Sequence, residues 1–540
     1  MRLPSTCFIL VFLFSSALPS HSAQAAPVPP SVFNIKDYGA TGDGQTKDTG
    51  AIRKAIDAAG AAGGGTVYFP PGRFLSGTIF MKNHITLHLE SGATLLGSTD
   101  IKDFPETIPE FRSYTDNYVR HSLIYGEGLH DIAITGRGAI DGQGAAFQWR
   151  EYSNRPYVIR FISCSHVLVQ DVTMLNSPMW MQHYLACDFV TIRGIHVYNH
   201  STYNNDMIDI DCCKDVHISG CYGSSDDDAL TLKSTAGRPT ENVTITNCVL
   251  GSHCNAIKMG TESNGGFRNI TITNCTINSL LTEQRVFYGG PRGSSGISLE
   301  LVDGGILENI TVSNIAIRNV RVPIFLRLGN RARPYKKNMP KPGIGVLRNV
   351  VISNITASGV DTIGCSITGQ PGHPVENVTL SNIRITFPGG GTKQDAEKEV
   401  PEHPAKYPEC TMFGTLPAYG FYCRHVTGLR FSNIDLELEG TDRRPAFVFD
   451  DVQGLDLEGL AEGANGAAAI RPMLVLKDVS YAMLRGLRPA PGSAALLRLE
   501  GDSRGVSVLG CDLSRVKKAF EFGRGVPESA LFQAANRVRK

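Results

Sequence analysis

Glu241-Asn242-Val243-Thr244-Ile245-Thr246-Asn247-Cys248 is the middle of three versions of one phrase. Lys214-Asp215-Val216-His217-Ile218-Ser219-Gly220-Cys221 precedes it and Arg268-Asn269-Ile270-Thr271-Ile272-Thr273-Asn274-Cys275 follows. The three terminal cysteines, Cys221, Cys248 and Cys275, are evenly spaced. A fixed period in this range marks a solenoid. Apolar and polar residues alternate within each phrase, which builds a short β-strand rather than a helix. The expected fold is all-β, with coils whose strands stack in parallel about 4.8 Å apart. Residues one period apart in the chain then become neighbours in space.

Working outward, related strand phrases run from about Ile85 through Ile132-Ala133-Ile134, Val167-Leu168-Val169 and Val190-Thr191-Ile192. Downstream the phrase returns at Glu308-Asn309-Ile310, Arg348-Asn349-Val350 and Glu376-Asn377-Val378, at intervals of 40, 40 and 28. Two coils therefore carry insertions of about 13 residues, including residues 280–295 and 327–342, and inserted loops are where binding concentrates. Residues 388–417 read as a further loop over one face. Gly454-Leu455-Asp456 and Tyr481-Ala482-Met483 are one period apart again, so residues 441–540 are expected as degenerate coils continuing a catalytic solenoid of residues 31–440. At the start, Thr49 to Ala62 has helical spacing at Ile52, Ile56 and Ala59, with Asp48 or Thr49 as the N-cap. That helix is expected to cap the open first coil. Gly63-Gly64-Gly65 precedes a strand and lacks the Lys-Ser/Thr ending of a phosphate loop.

Residues 1–25 have the form of a signal peptide: Arg2, an apolar run from Cys7 to Phe14, and the cleavage site Ala23-Gln24-Ala25. The mature chain is expected to be secreted or periplasmic. No later stretch is long and apolar enough to span a bilayer. A net charge of +1 gives no sign of a nucleic-acid or membrane partner, and a monomer is expected. Cys221, Cys248 and Cys275 share one repeat position, so a buried thiol ladder is favoured over disulfides. No paired C-x-x-C spacing suggests a metal; neither metal nor cofactor is expected. Asn247 and Asn274 are expected to stack at a coil corner and bond neighbouring backbone groups. Asn242, Asn269 and Asn309 also read as N-x-Thr sequons, with a structural role favoured.

The chemistry lies in Asn204-Asn205-Asp206 and Asp226-Asp227-Asp228. The second cluster follows the first by close to one coil, so the two are expected to form one carboxylate patch outside the solenoid. Ionised together they repel, and at least one should keep its proton. A proton-holding acid beside an ionised base is the equipment for glycosidic cleavage. A calcium site and a solvated acidic turn compete for the same residues.

The run from Asn204 to Asp209, with Asp226-Asp227-Asp228-Ala229-Leu230-Thr231-Leu232-Lys233-Ser234, resembles glycoside hydrolase family 28, the polygalacturonase family. Asp37-Tyr38-Gly39-Ala40 and Asp141-Gly142-Gln143-Gly144 resemble it too, and the similarity extends from about residue 32 to 385. The resemblance implies a right-handed parallel β-helix and hydrolysis with inversion. It implies Asp227 as general acid, Asp206 and Asp228 as the water-activating pair, and a structural Asp209. Asn204 belongs to the same motif as a substrate contact. The segment Asn176 to His183 resembles a substrate-facing stretch, making His183 a candidate; Trp180 would stack on a sugar or pack in the core.

Two family motifs are altered. Where a G-H-G histidine is expected, an ungapped alignment places Asn255, with His253 two residues early. Where the arginine and lysine that hold a galacturonate carboxylate are expected, Ser298 and Glu300 stand, and a glutamate there would repel a uronate. Lys258 and Glu262 read either as substrate-binding or as a salt-bridged surface pair, and Arg292 as a loop cation for a carboxylate. The expected function is hydrolysis of a plant or algal polysaccharide, pectin-related or its fragments, through an altered sugar pocket. A polysaccharide lyase and a carbohydrate-binding solenoid without turnover are the alternatives.

Overall fold

The computed structural model describes residues 31–148, 150–279, 292–464 and 471–538. The expected signal peptide and residues 280–291 of the first insertion lie outside the described residues. The strands form a right-handed parallel β-helix, with one apolar position repeating at every coil. Val216, Val243, Ile270, Ile310, Val350, Val378, Leu429, Leu455, Ala482 and Val506 sit rung upon rung in register, all buried in the core. Strands beyond residue 446, from Phe447–Glu458 to Leu531–Ala534, continue the same stack in parallel.

Two corner columns along the coils have left-handed backbone. One column runs through Asp215, Asn242, Asn269, Asn309, Asn349 and Asn377; the other through Asn247, Asn274, Asn314, Asn354, Asn382 and Asn433, with φ between 52° and 59°. Asparagine and glycine tolerate this conformation where other residues resist it. The asparagine side chains bond one another from coil to coil: Asn314 Nδ2 donates to Asn274 Oδ1 at 3.0 Å, and Asn354 Nδ2 to Asn314 Oδ1 at 2.8 Å. The expectation of bonds to backbone groups is thus corrected: the ladder joins side chain to side chain. Beyond Asn433 glycines take over the second column at Gly459, Gly486 and Gly510, and the recognisable phrase fades there.

Cys221, Cys248 and Cys275 stack directly, as the register of Tyr222, Val249 and Thr276 requires, and are buried free thiols. The capping helix spans Thr49–Ala61 and buries Ile52, Ala55, Ile56 and Ala59. Asp48 occupies its N-cap, but makes no side-chain cap bond. Its carboxylate accepts instead from the amides of Thr41 and Gly42, at 2.6 and 3.0 Å.

The insertions are shorter than their sequence boundaries, because Arg327 lies in the strand Val320–Leu328 and Gly293 opens the strand Gly293–Leu301. Residues 388–417 include the short helix Lys393–Ala396 and are pinned from below. The buried Arg327 guanidinium donates to the carbonyls of Glu402 and His403 at 2.6 and 3.3 Å. Arg424 donates to the Val400 carbonyl at 2.7 Å, and the Cys410 thiol to that of Ser294 at 3.2 Å. A loop without periodicity is thereby tied to the coils at several points along its length.

Asn314→Ala should lower stability by about 2 kcal/mol, since alanine in a left-handed position costs about 1–2 kcal/mol and ladder hydrogen bonds are lost. Asn314→Gly should lose less. Urea-unfolding midpoints of the two variants test the corner constraint.

Candidate active site

The outward face of one sheet carries the site. His183, Asp209, Thr231, Lys258 and Ser298 stack in register on five successive coils, with Asp211 and Lys233 paired two residues along. Continuing that register toward the preceding turn places Trp180, Asp206, Asp228, Asn255 and Ser295 in a second column. The Met207 amide donates to the Asp228 carbonyl at 3.0 Å across one rung. Of the three consecutive aspartates, Asp227 and Asp228 face out, while Asp226 turns inward and meets His253 Nδ1 at 2.7 Å. The turn is clamped at the Asp227 carbonyl by the hydroxyls of Ser225 and Ser252, at 2.8 and 2.6 Å. The Asp227 carboxyl accepts the Asp228 amide at 2.9 Å.

Asp206, Asp227 and Asp228 line one cavity of about 580 Å³ together with Asn204 and Glu262. Tyr118, Tyr152 and Trp180 form one wall, with ring centroids of Tyr118 at 5.3 Å from Tyr152 and 5.5 Å from Trp180. Tyr407, Glu409 and Thr411, from residues 388–417, line the cavity as well, with Arg321 and Arg333. Trp180 packs in the core, only 4% exposed, and also lines the cavity.

Two buried lysines hold this acidity together. Lys233 Nζ lies 3.5 Å from Asp209, 3.8 Å from Glu262 and 3.9 Å from Asp206. Burial disfavours its charge, but Asp209, Glu262 and Asp206 outweigh that and hold its pKa well above the usual lysine range. Lys258 Nζ lies 3.0 Å from Asp228 and 3.9 Å from Glu300. Burial pushes Asp227 up to about 7, helped by the Asp228 carboxylate and opposed by Lys258 and Lys233. Burial, with Asp209 and Asp227, raises Asp206 well above the carboxylate range. Glu262 goes the other way: burial would raise it, but Lys233, Arg331 and Arg333 hold it below. Raised carboxyls of the kind expected of a proton-holding acid thus stand at Asp227 and Asp206.

Several nominated residues stand elsewhere. His183 is buried on Asp211, with Nε2 3.1 Å from Oδ2, and packs on Trp180. His253 is 2% exposed, its ring against His200 and Asp226. Arg292 donates to the Val360 carbonyl at 2.7 Å. None of the three reaches the cavity wall. Lys258 and Glu262 are not a surface pair: both are buried, with separate partners. Ser298 and Glu300 lie beneath the floor, Ser298 Oγ donating to Glu300 Oε1 at 2.6 Å. Burial lifts Glu300 to about 8 against the pull of Lys258, so this glutamate does not face a sugar as a repelling charge.

Asn255, on the histidine's place in the alignment, donates to Asp228 Oδ1 from its backbone amide at 3.1 Å and its side chain at 2.8 Å. Sequence reasoning missed Lys233, Arg321, Arg333, Tyr407 and Glu409. Lys233 lies inside the second acidic motif, one rung on from Asp211, and the repeat could have paired them. Arg333, Tyr407 and Glu409 come from aperiodic insertions, and Arg321 from the strand Val320–Leu328 without a repeat signal. Asp227, Asp228 and Cys254 bring donor atoms within 4.8 Å of one another, but a thiol is a poor calcium ligand and the Lys258 ammonium already neutralises Asp228. This set does not fit calcium.

Known proteins resemble the chain in the same region. The model for "Glycosyl hydrolases family 28" matches residues 67–406. A probable polygalacturonase of Vitis vinifera is 28% identical over 65% of this chain and 74% of its own. An exopolygalacturonase of Platanus acerifolia is 28% identical over 67% and 92%. Among solved structures, a hyperthermoactive exopolygalacturonase from Thermotoga maritima superposes with a TM-score of 0.57 at 25% identity, covering 67% of this chain and 88% of that one. A tailspike protein of E. coli bacteriophage HK620, 12% identical with a TM-score of 0.54, covers 93% of this chain and 80% of its own and shares the fold alone.

Lys233→Met leaves Asp206, Asp209 and Glu262 buried without their shared cation. Breaking such a set should cost about 3–5 kcal/mol. Without the ammonium the carboxyl pKa values rise in the folded state, so the penalty is full above those raised folded values and fades as pH falls from them to the unfolded carboxylate value. Urea midpoints at pH 7 and pH 4 should converge on wild type at the lower pH.

Proposed function

The chain belongs to the glycosyl hydrolases family 28 and cleaves O-glycosyl bonds; from that premise we propose that it hydrolyses pectin or a pectin-derived oligosaccharide by acid/base catalysis with inversion. The observation that carries this reading is the proton-holding Asp227 at about 7, facing the same cavity as Asp206 and Asp228. Asp227 gives its proton to the leaving glycosidic oxygen. Asp206 Oδ1 is buried without a hydrogen-bond partner among the described residues and is free to hold the attacking water with Asp228. The ammonium of Lys258 at 3.0 Å and the two Asn255 donors keep Asp228 an acceptor while charge develops.

The altered pocket is read as a relocated one. Ser298 and Glu300 vacate the arginine–lysine place, while Arg321 lines the cavity with no ion pair among the described residues, unlike Arg333, which is bonded to Glu262 at 2.5 Å. A half-buried guanidinium with no carboxylate bonded to it suits a uronate. The aromatic residues supply a stacking surface, and the loop residues 407–411 beside the carboxyls support cleavage near a chain end. We place catalysis in residues 31–440, with residues 441–540 extending the stack. Export to the cell exterior or periplasm follows from residues 1–25, and the substrate is the sole partner proposed: a monomer, with no cofactor, nucleic acid or membrane.

Reducing-sugar release from polygalacturonate, pectins and neutral glycans tests the reading. Asp227→Asn should lose about 10²–10⁴-fold in kcat, the span of a positioned general acid. Wild-type kcat/KM should fall as pH rises through about 7, where Asp227 loses its proton. Arg321→Ala should raise KM about tenfold or more on uronate substrates, the worth of a charge-assisted bond, and leave neutral glycans unaffected. Full activity of Asp227→Asn on every substrate turned over by wild type would overturn the assignment.

A further inference from the structure

Residues 388–417 deliver a carboxyl that no repeat position announces. Glu409 lines the cavity, and its Oε2 is buried with no hydrogen-bond partner among the described residues. Such an oxygen on a cavity wall is an unmet demand that a ligand can satisfy. The neighbour of Glu409 is Asn255, whose side chain also bonds it. That amide already donates to Asp228 Oδ1 at 2.8 Å, and its oxygen accepts from Ser295 Oγ. Asn255 therefore bridges Asp228 to Glu409, at the place where the family alignment expects a histidine. The loop has to be held for this to matter, and it is. The next residue, Cys410, donates to the Ser294 carbonyl at 3.2 Å, and Arg327 holds the carbonyls of Glu402 and His403.

We propose that Glu409 is a substrate-contacting residue of the reaction centre, presenting Oε2 to the sugar that lies across Asp227 and Asp228 while Asn255 ties it to Asp228. The inference rests on the hydrolase reading of the same cavity. Burial raises the Glu409 pKa, opposed by Lys258 and Arg321 and helped by the Asp228 charge, and its Oε2 on the cavity wall is placed to meet a sugar hydroxyl. When ionised it acts on its neighbour, because its charge helps hold the proton on Asp227. One loop residue thus binds the sugar and tunes the acid. No bond to Glu409 forms or breaks in the reaction.

The test compares Glu409→Ala, the near-isosteric Glu409→Gln and Asp227→Asn on whichever pectic substrate wild type turns over, with thermal midpoints recorded for each. Glu409→Ala should lower kcat/KM about tenfold or more. Glu409→Gln keeps a hydrogen-bonding side chain but removes the ionisable charge, so the alkaline limb of its kcat/KM profile should move to lower pH as Asp227 releases its proton more readily. A merely structural glutamate would move the thermal midpoint and leave that limb in place. Wild-type kcat/KM and an unmoved limb in both Glu409 variants, beside an inactive Asp227→Asn, would overturn the role of Glu409 and leave the hydrolase standing. An active Asp227→Asn would instead remove the reading on which the role depends.

Discussion

Two corner columns of this solenoid have left-handed backbone, and that steric demand organises the rest. A residue at such a positive φ is strained unless it is glycine or asparagine, so the two corner columns select asparagine over and over. Stacked at the inter-strand spacing, the asparagine amides then bond each other along the helix axis. The corners lock the register, because a slip by a single position would put a strand residue into the left-handed corner and turn the apolar column outward. With register locked, residues one coil apart are brought face to face without any further device. Asp206 and Asp228 are neighbours for that reason alone.

Stacking carboxylates at that spacing creates the second problem, which the lysines solve. Asp206, Asp209, Asp227, Asp228, Glu262 and Glu300 crowd a few coils of one face, and the cations are interleaved on the same rungs rather than recruited from solvent. Lys233 follows Asp211 in its column, and Lys258 lies one rung beyond Thr231. The compensation is incomplete, and usefully so. Glu262 is surrounded by three cations and stays ionised, whereas Asp227, with Asp228 beside it, is left holding a proton. Uneven pairing over a regular scaffold is what gives neighbouring carboxyls of one face different proton affinities.

This division explains what was legible in the sequence. The fold could be read because the corner constraint writes itself into the chain once per coil. The carboxylate patch could be read because coil spacing turns sequence distance into contact, while the separate roles expected of Asp206, Asp227 and Asp228 came from the family resemblance. Which of Asp226, Asp227 and Asp228 faces inward was not legible, since three like residues give no alternation; only the clamped turn sends Asp226 to His253. His183 and His253 misled for a related reason: on a solenoid a histidine beside the acidic motif sits in the column beneath it as readily as in the cavity. Lys258 and Glu262 looked like each other's partners because their true partners, Asp228 and the Arg331–Arg333 pair, come from an earlier rung and an inserted loop.

The altered motifs follow from the same loops. Glu300 could only repel a uronate if it faced one, and it does not, because residues 388–417 lie over it. Tyr407 covers Lys258, its ring centroid 5.6 Å from Nζ and its hydroxyl accepting at 3.4 Å, and Glu409 adds to the charge felt by Glu300. Once a loop roofs this part of the face, an arginine or lysine in the places of Ser298 and Glu300 would be buried beneath it, adding cations to a floor that already holds Lys258. A serine and a proton-holding glutamate bonded to each other suit that buried place better. Arg321 lines the cavity where the roof leaves it open. Substitution in the repeat and insertion between repeats thus meet at one place: the loop covers the strand positions where Ser298 and Glu300 stand.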